Sequence, residues 1–519
     1  MGMQDEVMAF LADGASHGLA GRKVERIDTH ASAVFLIGER ALKLKRAVRY
    51  SYLDYSTVAL RETACRAEFA INRRIAPALY LGVRAIRRRA GGALGFDGAG
   101  DAVDWVVEMR RFAASGLFDR IAETGGLGRD LQRQLADTIA AFHAGAESVR
   151  NWGGSAGIAR VIVGNAENLR DAGAILDQGA VTRVTAAADA ALRDCAALLD
   201  RRRARDKVRR CHGDLHLGNI CLIDGKPTLF DAIEFSEEIS CIDVLYDLAF
   251  LLMDLVHREL GAAANFILNR YLDLTQDDEG LKALPLFLAV RAAIRAHVSA
   301  AAVAQQPGAP QRQQREDAAR SYLALAAALL PPSPPRLIAV GGHSGSGKST
   351  LALALAPDLP PLPGARVLRS DVLRKALLGL PPETRLPPGA YSHAMSKQIY
   401  AALQHQAAHA LAAGSSVIMD ATFLDPAERE AAALVAANAG VPFTGLWLDA
   451  RREVMAARLE QRPGDASDAT LSVLDQQLAS DPGPITWQRI DTGGALARVT
   501  AAIRRAAGIA TRPGPLART

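Results

Sequence analysis

The stretch Gly342-His343-Ser344-Gly345-Ser346-Gly347-Lys348-Ser349-Thr350 restricts what this chain can fold into more than any other. Its spacing is G-x-x-x-x-G-K-[ST]. The apolar run Leu337-Ile338-Ala339-Val340 before it predicts a buried parallel strand, and Leu351 to Leu355 after it is a good helix former. Strand, glycine loop and helix in that order let backbone N–H groups close around a chain of phosphates. Lys348 then reaches the β/γ-phosphates and the Ser349 hydroxyl takes Mg²⁺. The expected ligand is ATP or GTP with Mg²⁺. A glycine-rich turn that binds nothing is the bland alternative, and it would need neither the strand nor the helix.

The loop begins about two-thirds of the way along 519 residues, so a large unit precedes it. Hydrophobic residues at 49% and charged residues at 23% describe a globular chain and exclude a disordered one. The net charge of +5, mainly arginine, is a mild anionic bias that fits nucleotides or nucleic acid. Cys65, Cys195, Cys211, Cys221 and Cys241 show no C-x-x-C spacing and read as reduced thiols. Asp5 and Glu6 stand where a signal peptide needs basic residues. Asp247 and Asp254 interrupt one of the two most apolar stretches, Arg291 and Arg295 the other. No membrane span and a cytoplasmic location are expected.

Val34 to Ile37 and Ala41 to Lys45 predict two strands joined by a tight turn, followed by a helix from about Thr57 to Ile75. Strands are expected at Leu79–Ile86 and Trp105–Met109, and mostly helix from Leu131. A polar loop at Cys211–Asn219 and two short strands around Ile220–Phe230 interrupt that helical region, which runs to about Leu330. A small β-rich lobe before a larger helical lobe is the outline of a bilobal α+β fold over residues 1–330. The run Pro331-Pro332-Ser333-Pro334-Pro335 is the boundary, 331–335, because consecutive prolines cannot continue a helix. Over 336–519, strands at Leu337–Val340, Arg366–Ser370, Ser416–Asp420 and Phe443–Leu448 alternate with helices. That pattern predicts an α/β unit with a parallel sheet.

His212-Gly213-Asp214-Leu215-His216-Leu217-Gly218-Asn219 carries the second chemical signal. Phosphoryl transfer needs a carboxylate to accept a hydroxyl proton and, five residues on, an amide oxygen for Mg²⁺; Asp214 and Asn219 have that spacing. Asp231, after Leu229-Phe230, offers a further metal-binding carboxylate. Lys43 on a strand and Glu68 on a helix supply a lysine–glutamate pair for the phosphates, with Lys45 on the same strand face as the other candidate lysine. In these residues, from roughly Glu25 to Leu330, the chain resembles the aminoglycoside phosphotransferase family, a kinase-like fold whose loop is H-G-D-x-x-x-x-N. The resemblance implies Asp214 as catalytic base, Asn219 and Asp231 as metal ligands, and Asp243 and Asp247 as structural acids. No G-x-G-x-x-G lies between the first strands; Thr29–Ala33 takes that place, with Ser32 the expected phosphate contact.

In the last third, Val367-Leu368-Arg369-Ser370-Asp371 predicts a strand ending in a carboxylate, with Arg374 one helical turn on. Asp371 could accept a hydroxyl proton and Arg374 hold an anionic group; an N-cap Asp with a surface Arg is the plain alternative. Val417-Ile418-Met419-Asp420 is an apolar strand ending in the acid expected beside Mg²⁺. Arg458 and Arg462, at i and i+4, could form a lid over the transferring phosphoryl group. This part resembles the small P-loop kinases that phosphorylate a hydroxyl, among them gluconate kinase, zeta toxin and the polynucleotide 5′-hydroxyl kinase domain. The whole chain resembles a bacterial two-domain family that joins both parts.

The expected activity is therefore an ATP- and Mg²⁺-dependent kinase with two sites acting on hydroxyl groups of small molecules. Alternatives are a P-loop unit acting on nucleic acid 5′ ends, against which an aromatic content of 5% argues mildly, and an ATP-hydrolysing sensor without an acceptor.

Overall fold

The computed structural model describes residues 3–29, 31–50, 53–305, 308–461, 467–506 and 508–509. The chain divides into two compact units, Met1–Gly157 with Arg202–Leu248, and Ile158–Arg201 with Ala249–Thr519.

The first unit is built on strands β1 (Glu25–Asp28), β2 (Ser32–Ile37), β3 (Arg40–Lys45), β4 (Tyr80–Arg88), β5 (Leu94–Phe96) and β6 (Asp101–Arg110). They form one antiparallel sheet in the order β1-β2-β3-β6-β4-β5. The period-2 alternation of β3 decides which side chain meets which layer. Leu42 and Leu44 join Val7 and Leu11 of helix α1 (Met3–Ala12), an element that the sequence pattern does not announce. Ala41 faces the other way, with Cys65 of α2 (Val58–Ile75), and this is the side that Lys43 and Lys45 share. Thr57 caps α2 by accepting from Leu60 N at 3.2 Å.

Helix α3 (Arg129–Gly145) and the antiparallel hairpin β7 (Ile220–Ile223) and β8 (Lys226–Leu229) complete the frame of the polar loop. Upstream of that loop, Val208–Arg210 pairs with Cys241–Asp243, and Asp243 takes a two-pronged bond from buried Arg202 at 2.7 and 2.8 Å. Helix α4 (Val244–His257) starts directly after.

In the second unit, α5 (Gly261–Thr275) and α6 (Leu284–Ala301) precede the helix Ala309–Leu329, and residues 331–335 contain neither helix nor strand. The segment Asp278–Ala301 is long and apolar enough to cross a membrane by length and composition, but 72% of its apolar window is buried inside the protein. Its Arg291 lies over the Phe250 ring at 4.7 Å, so a core helix accounts for it.

Strands β9 (Leu337–Gly342), β10 (Arg366–Arg369), β11 (Val417–Asp420), β12 (Phe443–Asp449) and β13 (Gln488–Asp491) form a parallel sheet in the order β10-β11-β9-β12-β13. Ile338, Val340, Val367, Ile418, Leu446 and Leu448 fill one face, packed on Leu351 and Leu355 of α7 (Lys348–Leu355). The outer edge of β10 is covered by α5. Val367 N donates to Asn269 Oδ1 at 2.7 Å, and the amides of Asn265 and Asn269 both donate to Ala365 O at 3.0 Å. Side-chain amides thus stand where a further strand would pair.

Candidate active sites

In the first unit the two lysines of β3 divide one glutamate between them. Lys43 Nζ meets Glu68 Oε1 at 2.9 Å, and Lys45 Nζ meets Glu68 Oε2 at 2.5 Å. Lys43 also pairs with Asp231, while Lys45 pairs with Glu234 Oε1 at 2.6 Å. Burial works against the Glu68 carboxylate, yet the two ammonium groups outweigh it and hold the carboxyl well below its ordinary range. Asp231 is two-fifths exposed and Glu234 only 5%, so Lys43 serves the open end of the cluster and Lys45 the closed end. Helix α2 also fixes the backbone beside Asp231: Asn72 Oδ1 accepts from Ala232 N at 2.8 Å and its amide donates to Ala232 O at 3.3 Å.

The polar loop hangs on Asp247. Its carboxylate accepts from His212 N at 3.1 Å, from Gly213 N at 2.9 Å and from His143 Nε2 at 3.1 Å. With Cys211, whose thiol donates to Ile242 O at 3.4 Å, the bonded pair His143 and Asp247 forms a cluster whose ligand-type atoms lie within 4.8 Å of one another. Gly213 has φ +82, and a Cβ there would stand 3.1 Å from Ile239 O. His212 Nδ1 accepts from Asp214 N at 3.3 Å, which makes Nε2 the donor to Phe230 O at 2.9 Å. Burial lowers its pKa and keeps this ring neutral. Asn219 Nδ2 donates to both the carbonyl and the carboxylate of Asp214 at 2.9 Å, and its Oδ1 is the atom left to accept a cation. Ser32 is 4% exposed at the start of β2, where its N–H donates to Thr29 Oγ1; it is not presented on an open loop as a phosphate contact would be.

In the second unit the glycines form a cradle that side chains would fill. A Cβ on Gly342 (φ +132) would lie 2.5 Å from Leu448 O, and one on Gly345 (φ +80) 2.5 Å from Met455 O. Ser344 and Ser346 are buried, Ser346 Oγ has no hydrogen-bond partner among the described residues, and Thr350 is exposed. Lys348 Nζ donates to His343 O at 2.9 Å. Arg369, to which the sequence pattern assigns no role, donates to Ser349 Oγ at 3.2 Å and lies 3.6 Å from Asp420 Oδ2. A cationic group thus sits between the two expected metal ligands, and the donor set fits Mg²⁺. Burial raises the Asp420 pKa against the pull of Arg369 and Lys348.

Asp371 lies in the first turn of α8 (Ser370–Leu377) and is not its N-cap. Arg374 is 6% exposed: Nη1 donates to Ala390 O at 3.0 Å, the guanidinium lies over the Tyr391 ring at 4.7 Å, and Nε has no hydrogen-bond partner among the described residues. It is not the surface Arg of the plain alternative. Asp468 gathers the neighbouring segment, accepting from Tyr391 OH at 2.6 Å and Leu386 N at 3.1 Å, with Lys375 Nζ at 3.4 Å. Arg458 donates to Ser346 O at 3.3 Å and Thr492 O at 2.7 Å, so it straps the glycine loop instead of reaching over it. Arg462 lies outside the described residues.

Lys43, Glu68 and Asp231 are therefore together, as are Asp214 with Asn219 and Lys348 with Ser349 and Asp420. Glu234, Tyr55 and Gln477 join these sites without any signal in the sequence. Tyr55 bonds Glu234 and Gln477 bonds the glycine loop, both across long stretches of chain, and no local spacing marks them.

Residues 16–284 match the family described as the phosphotransferase enzyme family, and residues 337–483 match an AAA domain. An uncharacterized protein of Mycobacterium tuberculosis (strain ATCC 25618 / H37Rv) is 31% identical over 475 residues, 90% of this chain and 92% of that protein. An uncharacterized protein of Mycobacterium bovis (strain ATCC BAA-935 / AF2122/97) gives the same figures. Among solved structures, a gluconokinase from Sinorhizobium meliloti 1021 is 24% identical, with 34% of this chain and 95% of that one covered and a TM-score of 0.25. A choline/ethanolamine kinase family protein from Mesorhizobium loti is 15% identical, with coverage of 63% and 99% and a TM-score of 0.32.

Proposed function

The chain belongs to the phosphotransferase enzyme family, carries an AAA domain behind the family match and is an ATP-dependent phosphotransferase; from that premise we propose two phosphoryl-transfer sites, each acting on a hydroxyl acceptor. The observation that carries the first is Lys43 held between Glu68 and Asp231, an ammonium at the open end of a carboxylate cluster. Asp214 accepts the acceptor's hydroxyl proton as its oxygen attacks the γ-phosphorus, and the bond from that phosphorus to the β-phosphate oxygen breaks, releasing ADP. Lys43 orients the phosphates, and Asn219 Oδ1 with Asp231 would hold Mg²⁺. When bound, the ion neutralises phosphate charge.

At the second site Gly342–Thr350 cradles the phosphates, Ser349 and Asp420 would hold Mg²⁺, and Asp371 takes the hydroxyl proton. A buried guanidinium that donates to a backbone carbonyl and lies over an aromatic ring supports an acceptor with an anionic group beside its hydroxyl, received by Arg374. Small metabolites of that kind fit this description, and so does a nucleic acid 5′ end.

The test incubates the full chain with γ-labelled ATP and a panel of metabolites and oligonucleotides. Asp214→Asn and Lys348→Ala assign each labelled product to its site. If no acceptor becomes labelled and Asp214→Asn leaves ATP consumption unchanged, the first site is not a kinase site.

A further inference from the structure

One peptide unit of the phosphate loop is gripped from both ends. The carbonyl oxygen of His343 accepts from Lys348 Nζ at 2.9 Å. The N–H of the same peptide, on Ser344, donates to Gln477 Oε1 at 2.8 Å across 133 positions of chain. A planar trans peptide points its C=O and N–H in opposite directions, so turning one turns the other. The seat of the Lys348 ammonium is therefore set by a peptide whose orientation Gln477 fixes.

Gln477 is itself firmly placed. It lies on α10 (Leu471–Ala479), where Thr470 caps the first turn by accepting from Val473 N and Leu474 is fully buried. Asp475 on that helix meets Arg452 of α9 (Arg452–Glu460) at 2.7 Å. Helix α9 in turn closes on the loop through Arg458 on the Ser346 carbonyl and Met455 O against Gly345. The two helices form a collar around the loop, and Gln477 is the part of it that reaches the Lys348-bearing peptide.

We propose that Gln477 is a positioning residue of the P-loop site, acting through the His343–Ser344 peptide on Lys348 and so on the terminal phosphate of the nucleotide. This rests on reading the P-loop unit as a nucleotide site. The working atom is the carboxamide oxygen, an acceptor for a backbone N–H. Alanine and methionine supply no such acceptor. Because Lys348 serves the β/γ end of the nucleotide, losing the acceptor weakens ATP binding more than ADP binding.

Isothermal titration of the full chain with ATP and with ADP tests this, the P-loop event being the one that Lys348→Ala removes. Gln477→Ala is expected to weaken ATP at that event about five- to tenfold, the worth of one backbone hydrogen bond, and ADP less than twofold. Gln477→Met, with similar length and no acceptor, should repeat the result with the helix packing kept. Equal losses for both nucleotides, no loss, or a methionine variant that binds ATP as the parent does each overturn the proposal. A parent chain from which Lys348→Ala removes no binding event overturns the nucleotide-site reading instead.

Discussion

Arg366 Nε donates to Asp278 Oδ1 at 2.6 Å, and the same guanidinium reaches Asp273 Oδ1 at 2.6 Å. The two acids lie in the span that matches the phosphotransferase enzyme family, and the arginine opens β10 of the AAA-matching span. All three side chains are largely buried. Three residues further along β10, Arg369 touches Ser349, so a strand anchored on helices from one match carries a residue of the other match's site.

Removing the guanidinium leaves two buried carboxylates without their cation. Arg366→Ala should lower stability by about 3–5 kcal/mol, read from urea unfolding. Adding Asp273→Asn and Asp278→Asn should recover part of that loss, because the uncompensated charge goes with them. A fragment of residues 336–519 lacks both acids and both asparagines, and is expected to stay aggregated when refolded at concentrations where the full chain is monodisperse.

The two lysines of β3 should separate by what their loss damages. Lys43→Met is expected to lower turnover at the first site at least about a hundredfold while the melting temperature holds, since Lys43 serves the open end of the cluster. Lys45→Met leaves Glu234 buried without its ammonium, and should cost about 3–5 kcal/mol in chemical denaturation. A Lys45→Met chain that melts with the parent would reverse the assignment.

Asp247→Asn keeps the shape but turns one acceptor into a donor that faces either the Gly213 N–H or the His212 N–H and the His143 ring. The expected cost is about 2–4 kcal/mol, together with a fall in turnover at the first site and no change in nucleotide affinity at the second. Parallel denaturation and labelled-phosphate assays on one preparation decide it.

Acid should destabilise the second unit through two histidines. Burial pushes His257, stacked on Tyr322 at 3.7 Å, down to about 4, and His297 likewise to about 4, against an ordinary value of 6.5. Between pH 6.5 and 4 the unfolded chain binds protons that the folded chain does not. Stability from these groups is therefore complete above 6.5 and is lost as pH falls toward 4, by up to about 3 kcal/mol each. The urea midpoint should fall across that range, and His257→Gln with His297→Gln should flatten the fall.

Local spacing announces which candidate site residues lie together. The glycine loop, the Asp214–Asn219 loop and the Lys43–Glu68 pair are short-range patterns or a pair on adjacent elements, and the structure brings their members together. The strand pattern before and after Lys348 likewise announces a parallel sheet. What escapes depends on distant chain meeting by packing. Helix α1 seals a sheet face that polar residues around Asp5 and Glu6 disguise, β13 has a mostly exposed, polar sequence, and Arg369 reads only as part of a strand. Arg458 has the helical spacing of a lid residue, but it bonds the Ser346 carbonyl of a loop more than a hundred positions earlier and the Thr492 carbonyl later in the chain. The proline run marks a break in chain texture, whereas buried polar bonds join what lies on its two sides.

The amides of Asn265 and Asn269 on the edge of β10 also bear on descent. A recombination event that severed the last third from the helices before it would release a chain with a bare strand edge and a buried-type arginine. Both would have to be repaired before selection could act on the freed part. Separation by a single step would therefore pass through a chain whose β10 edge has lost its hydrogen-bond partners.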